Sequence, residues 1–115
     1  MPKLLSIRVN EQVALEYDRS AGLPGQVRTL LESMDRDMDA GVTLDDEPIS
    51  EPSRIQRAHF VTGQLLRALR SGNEDAAWIL CGYLANRLPE LEAVVIAESG
   101  ESVTAELLFD KTSTV

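Results

Sequence analysis

The chain has 115 residues, 43% of them apolar, and a formal net charge of −8. That is one domain's length, with enough apolar material for a core that needs no disulfide staples. The charge argues against a nucleic-acid role, which needs clustered Lys and Arg, and equally against a basic membrane-surface helix.

Acidity is concentrated. Residues 35–53 carry seven acids against Arg36 alone, and residues 91–115 carry five against Lys111. Such a split suits internal ion pairing or a partner with basic patches. Cys81 is the single cysteine, so no internal disulfide can form and a reducing compartment fits. The opening MPKLLSIRVNEQ lacks the apolar core of a signal peptide, and no run reaches membrane-span length. The expected setting is cytoplasmic.

Leu5, Ile7 and Val9 alternate with Leu4, Ser6 and Arg8, and Val13, Leu15 and Tyr17 alternate with Ala14 and Glu16. Period two over two short runs predicts a hairpin with a loop at Asn10, Glu11 and Gln12. Val9 would then face Val13, Ile7 face Leu15 and Leu5 face Tyr17. A helix over residues 11–19 competes, because Glu, Gln, Ala and Leu form helices well.

Residues 19–25 (RSAGLPG) read as a loop. Val27, Leu30, Leu31, Met34 and Met38 recur at helical spacing and predict a helix over residues 24–39 with one apolar stripe, stopped at Gly41. Residues 42–52 (VTLDDEPISEP) hold two prolines and predict an ordered loop or a short extended piece. Ser53 can cap the helix that follows.

Residues 54–91 predict two helices folded at Ser71, Gly72 and Asn73. In the first, Ile55, Ala58, Val61, Thr62, Leu65, Leu66 and Leu69 share a face, and Arg57, Gln64, Arg67 and Arg70 occupy the other. Phe60 breaks that pattern. In the second, Ala77, Leu80, Cys81, Leu84 and Leu88 form the stripe, with Ile79 and Tyr83 as a further apolar pair one turn apart. Gly63 and Gly82 sit in helix interiors, where close helix crossing is the expected reason.

Pro89 ends the helical run. Residues 93–97 (AVVIA) predict a strand, and a two-residue loop at Ser99 and Gly100 would set Ile96 against Val103 and Val94 against Ala105. Residues 110–115 read as a flexible tail beyond a single domain of residues 1–109. The expected fold class is α+β: a two-layer domain in the order ββαααββ, whose N- and C-terminal hairpins form one antiparallel sheet packed against about three helices.

Residues 35–46 (DRDMDAGVTLDD) resemble an EF-hand calcium loop. Asp35, Asp37 and Asp39 fill the first three ligand positions, Val42 the apolar eighth and Asp46 the twelfth. Glycine comes one residue late, at Gly41, and Asp46 is shorter than the usual glutamate. The resemblance implies a divalent cation held by Asp35, Asp37, Asp39 and Asp46. The competing reading is a helix that runs through Asp39 and simply carries a solvated acidic face. The segment MDRDMDAG, the Ala- and Leu-rich helix pair and the AVVI run together are similar to small uncharacterised bacterial proteins, a resemblance that implies no activity.

No catalytic constellation stands out. His59 lies at a stripe edge, and only Cys81 on the neighbouring helix could approach it as a nucleophile. Phe60, Trp78, Ile79 and Tyr83 are the interface candidates, because surplus aromatic and apolar residues favour interface centres. The expected function is therefore that of a non-enzymatic accessory or regulatory protein with a protein partner or a homodimeric state. The alternatives are divalent-cation binding through residues 35–46 and a small enzyme using His59.

Overall fold

The computed structural model describes residues 3–21, 24–44 and 46–109. The fold is α+β, with three α-helices, a four-stranded sheet and a two-stranded sheet among the described residues. The order is β1 (Leu4–Val9), β2 (Gln12–Asp18), a short 3₁₀ turn (Arg19–Ala21), α1 (Gly25–Asp39), β3 (Val42–Leu44), β4 (Glu47–Ile49), α2 (Arg54–Ser71), α3 (Glu74–Arg87), β5 (Leu91–Ser99) and β6 (Ser102–Phe109). The residues expected to form a tail, 110–115, lie outside the described residues. The chain divides into two compact units: Met1–Ala21 with Leu84–Val115, and Gly22–Tyr83 between them in sequence.

In the first unit the sheet runs β2-β1-β5-β6. The two terminal hairpins are antiparallel, as their alternation predicts. They meet through a parallel pair, β1 with β5, a pairing that needs a long crossover and receives one from everything between them in sequence. Residues Leu15, Ile7, Val94 and Leu107 form one row across all four strands, and Ile7 and Val94 are fully buried in it.

Each hairpin departs from its expected register at the turn. Asn10 and Glu11 both adopt positive φ, 51° and 70°, so the first loop has two residues rather than three. Leu5–Tyr17 and Ile7–Leu15 pair as expected. A bulge after Ile7 then sets Val13 against Arg8 and leaves Val13 exposed. Asn10 also stitches β1 to β5, because its Oδ1 accepts the Glu98 N–H at 2.8 Å. In the second hairpin the loop is Gly100 and Glu101. Gly100 takes the left-handed φ of 60°, a conformation that a serine at the first loop position resists. The register therefore shifts by two, giving Ile96–Ala105 and Val94–Leu107. An even shift keeps the same residues on the same face.

In the Gly22–Tyr83 unit, α1 follows its sequence signals closely. Pro24 precedes it, and Gly41, with φ of 117°, ends it after Ala40. Strands β3 and β4 pair antiparallel, so the stretch whose prolines predict an ordered loop or a short extended piece holds two paired extended pieces. Pro48 fits because a strand with a single neighbour needs donors on one side only. Helix α2 opens with a capping box: the Gln56 N–H donates to Ser53 Oγ, and the Ser53 N–H donates to Gln56 Oε1. It closes on Gly72 at φ of 73°. Its buried residues are Ala58, Val61, Thr62, Leu65, Leu66 and Ala68, while Ile55 remains exposed. In α3, residues 81–85 are all buried, as an apolar pattern on every side requires.

Gly63 is exposed, and a Cβ built there meets nothing within 4 Å. The expected helix crossing is absent at that position. Gly63→Ala should therefore stabilise the protein by about 0.5–1 kcal/mol, since Ala loses less backbone entropy in a helix. A urea midpoint that falls instead of rising would show that the space is occupied.

Candidate functional site

The first, second and third helices each contribute to one polar cluster. Arg57 on α2 is its centre. Its Nη2 donates to Asp39 Oδ1 at 2.6 Å, its Nη1 donates to the Asp35 carbonyl at 3.2 Å, and its Nε donates to the Pro52 carbonyl at 3.3 Å. The hydrogen bond to Asp39 is the main reason the Arg57 guanidinium is held above its usual pKa. Tyr83 on α3 is 3% exposed, and its hydroxyl donates to Asp35 Oδ1 at 2.6 Å. Asp35 thus binds α3 directly while its carbonyl binds α2.

These contacts explain the acidic stretch. The helix runs through Asp39, so Asp35 and Asp39 lie one turn apart on the side facing Arg57. Asp37 lies between them in sequence and on another side of the helix, at the edge of a groove described below. Asp46 sits in the β3–β4 turn with φ of 64°. An EF-hand gathers its ligands with a loop, whereas here three of the four positions are spread around a helix. Among the described residues no group of three or more His, Cys, Asp and Glu side chains is placed to hold a metal ion.

His59 is partly buried on α2. Cys81 is fully buried, and desolvation pushes its thiol up to about 12. Such a thiol stays protonated at neutral pH and is not an activated nucleophile.

The four interface candidates separate. Tyr83 is committed to Asp35 inside its own unit. Phe60, which breaks the α2 pattern, lines a pocket with Val42, Thr43, Pro48 and Ile49, so the unforeseen β3–β4 hairpin accounts for its position. Trp78 is 42% exposed. Ile79 is half-buried and lines an open groove of about 570 Å³ with Leu30, Met34, Ala68, Ala76 and Leu80, edged by Asp37, Gln64 and Arg67.

Leu30 is the groove residue that the periodicity misassigned. It belongs to the α1 apolar stripe, yet it is 47% exposed while its neighbour Leu31 is buried. Two adjacent leucines on a helix point about 100° apart, and a stripe wide enough to include both has an edge outside the core.

Arg19 forms a separate site in the other unit. Its guanidinium donates to the carbonyls of Ala85 at 2.8 Å, Pro89 at 2.9 Å, Leu88 at 3.4 Å and Leu91. It fastens the end of α3 and the start of β5 to the 3₁₀ turn after β2. Its Nε is buried without a hydrogen-bond partner, and burial pushes its pKa down. All four acceptors are backbone carbonyls, which marks it as a structural clamp.

Among the described residues no helix is long and apolar enough to cross a membrane. In comparisons with known proteins, no family model matches the chain, and no curated protein or solved structure matches it either.

Proposed function

We propose that this chain is a non-catalytic accessory or regulatory protein of the cytoplasm that works by docking a protein partner in the groove between α1, α2 and α3. The carrying observation is the open apolar floor at Leu30, Met34, Ile79 and Leu80. Grooves between helices suit an amphipathic helix that inserts apolar residues at i, i+3 and i+4. The net charge of −8 favours a partner whose polar face is basic. Asp37 at the rim supplies an acceptor for such a residue. The inert thiol of Cys81 and the engagement of Asp35 and Asp39 by Arg57 support a binding role over a catalytic one.

The test is site-specific photo-crosslinking from Ser33 and Gln64 in the groove, with Glu16 on β2 as a distant control. One protein should be captured from the groove positions and not from Glu16. Its affinity, measured with purified components, should fall at least tenfold for Leu30→Lys, which alters an exposed residue and spares the fold. Equal capture from all three positions, or an unchanged affinity for Leu30→Lys, would overturn the reading.

A further inference from the structure

We infer that β6 is a self-association edge, through which two copies of the chain pair antiparallel about Ala105. The inference is independent of the helical groove. Both β2 and β6 end the sheet, but they are protected unequally. Strand β2 carries a bulge and the acids Glu16 and Asp18, which deter edge pairing. Strand β6 runs eight residues, SVTAELLF, with no proline and Glu106 as its only charge. Val103 on it is 48% exposed.

The register follows from the hairpin. Ser99 and Ser102 close the two-residue loop and form a hydrogen-bonded pair. Alternation along an antiparallel strand then turns the N–H and C=O groups of Val103, Ala105 and Leu107 away from β5. A second β6 can use all of these groups only if Ala105 faces Ala105 of the other copy and Val103 faces Leu107. That register sets Glu106 opposite Thr104, an acceptor opposite a hydroxyl, and joins Val103 to Leu107 on the apolar face. Sliding by two residues toward the C-terminus sets Glu106 against Glu106, a like-charge pair that disfavours it. Sliding the other way leaves Leu107 facing the Glu101 loop. One register is therefore favoured by hydrogen bonding, charge and apolar contact together.

A closed two-fold pairing of this kind is self-limiting, because it consumes the edge that creates it. Two copies each carrying −8 repel one another, so association should strengthen as salt screens them.

Sedimentation velocity on the full chain over a concentration series at low and moderate salt tests the inference. The expected result is a monomer–dimer equilibrium that tightens with salt. Thr104→Glu places like charges opposite each other twice, by symmetry, and should weaken the dimer roughly tenfold. Thr104→Lys should tighten it by a similar factor. Ala105→Pro removes an outward donor without touching the β5 ladder and should abolish the dimer with the circular dichroism spectrum retained. A monomer at all concentrations overturns the inference. So does a dimer indifferent to the Thr104 pair, or one lost on Leu30→Lys instead.

Discussion

Replacing Arg19 with Met should cost about 2–4 kcal/mol of stability. Hydrogen bonds from a charged donor contribute about 1.5–3 kcal/mol each when their acceptors are withdrawn from water. The Arg19 guanidinium serves four carbonyls, three of them partly buried. Two belong to residues at the C-terminal end of α3 or just past it, where a cation also meets the negative end of the helix dipole. Partial water entry to the vacated carbonyls keeps the loss well below the sum of the bonds. Met preserves the aliphatic stem, so the measured loss reports the guanidinium and not packing. Arg19→Lys should recover less than half, because an ammonium lacks the planar fork by which Nη1 and Nη2 each reach two carbonyls. Urea denaturation followed by circular dichroism gives both values. A loss under about 0.5 kcal/mol for Arg19→Met would place the clamp among surface contacts of no consequence.

The clamp depends on the turn that aims it. Asp18 Oδ1 accepts the Ser20 N–H at 2.8 Å and the Ser20 hydroxyl at 2.6 Å, which sets the 3₁₀ turn after β2. Those two bonds hold the Asp18 carboxyl below its usual pKa. Its contribution to stability is therefore present above the ordinary carboxylate range and is lost as pH falls through the depressed value. Asp18→Asn should flatten that part of the acid limb.

Arg19 also shows where sequence reasoning reaches its limit. Its acceptors lie 66 to 72 residues away, and no local spacing encodes such a contact. Residues 19–25 read as a loop from composition, whereas Arg19–Ala21 forms a 3₁₀ turn. The two hairpins were legible because period two is a local property, and so was their apolar face, which survives an even register shift. The β1–β5 parallel pairing was not legible, since it joins strands separated by three helices. The β3–β4 hairpin was hidden by Pro48, a residue that argues against central strands but not against this small ribbon. At the candidate site, Asp35 and Asp39 were visible as acids of one helical face, but Arg57 stood out only as one of several polar-face arginines. Tyr83 stands out in the sequence by its ring, while its hydroxyl fixes its role.

The Tyr83–Asp35 bond carries the second large prediction. Asp35→Ala should cost about 2–3 kcal/mol, because it leaves the Tyr83 hydroxyl buried without its carboxylate and weakens the seat of Arg57. Tyr83→Phe should cost about 1–2 kcal/mol, as the carboxylate, 31% exposed in its side chain, regains water more readily than a buried hydroxyl does. The double variant should fall close to Asp35→Ala alone, since removing the hydroxyl removes the penalty of stranding it. A coupling of about 1–2 kcal/mol then separates this bond from the rest of the cluster. Arg57–Asp39 is the useful contrast: Asp39 is 61% exposed in its side chain, and Asp39→Ala should cost under about 1 kcal/mol despite the 2.6 Å contact. Trp78, the only tryptophan, lies in the same unit and reports these transitions by fluorescence. The same variants bear on docking. Leu30, Ser33, Met34 and Asp37 line the groove from α1, and Ala76, Ile79 and Leu80 line it from α3. Asp35 holds those two walls together from a neighbouring turn of α1, so loosening it should weaken partner binding even where the fold survives. Additive costs for Asp35→Ala and Tyr83→Phe would mean that the walls are set by apolar packing alone, and binding should then be indifferent to Tyr83→Phe.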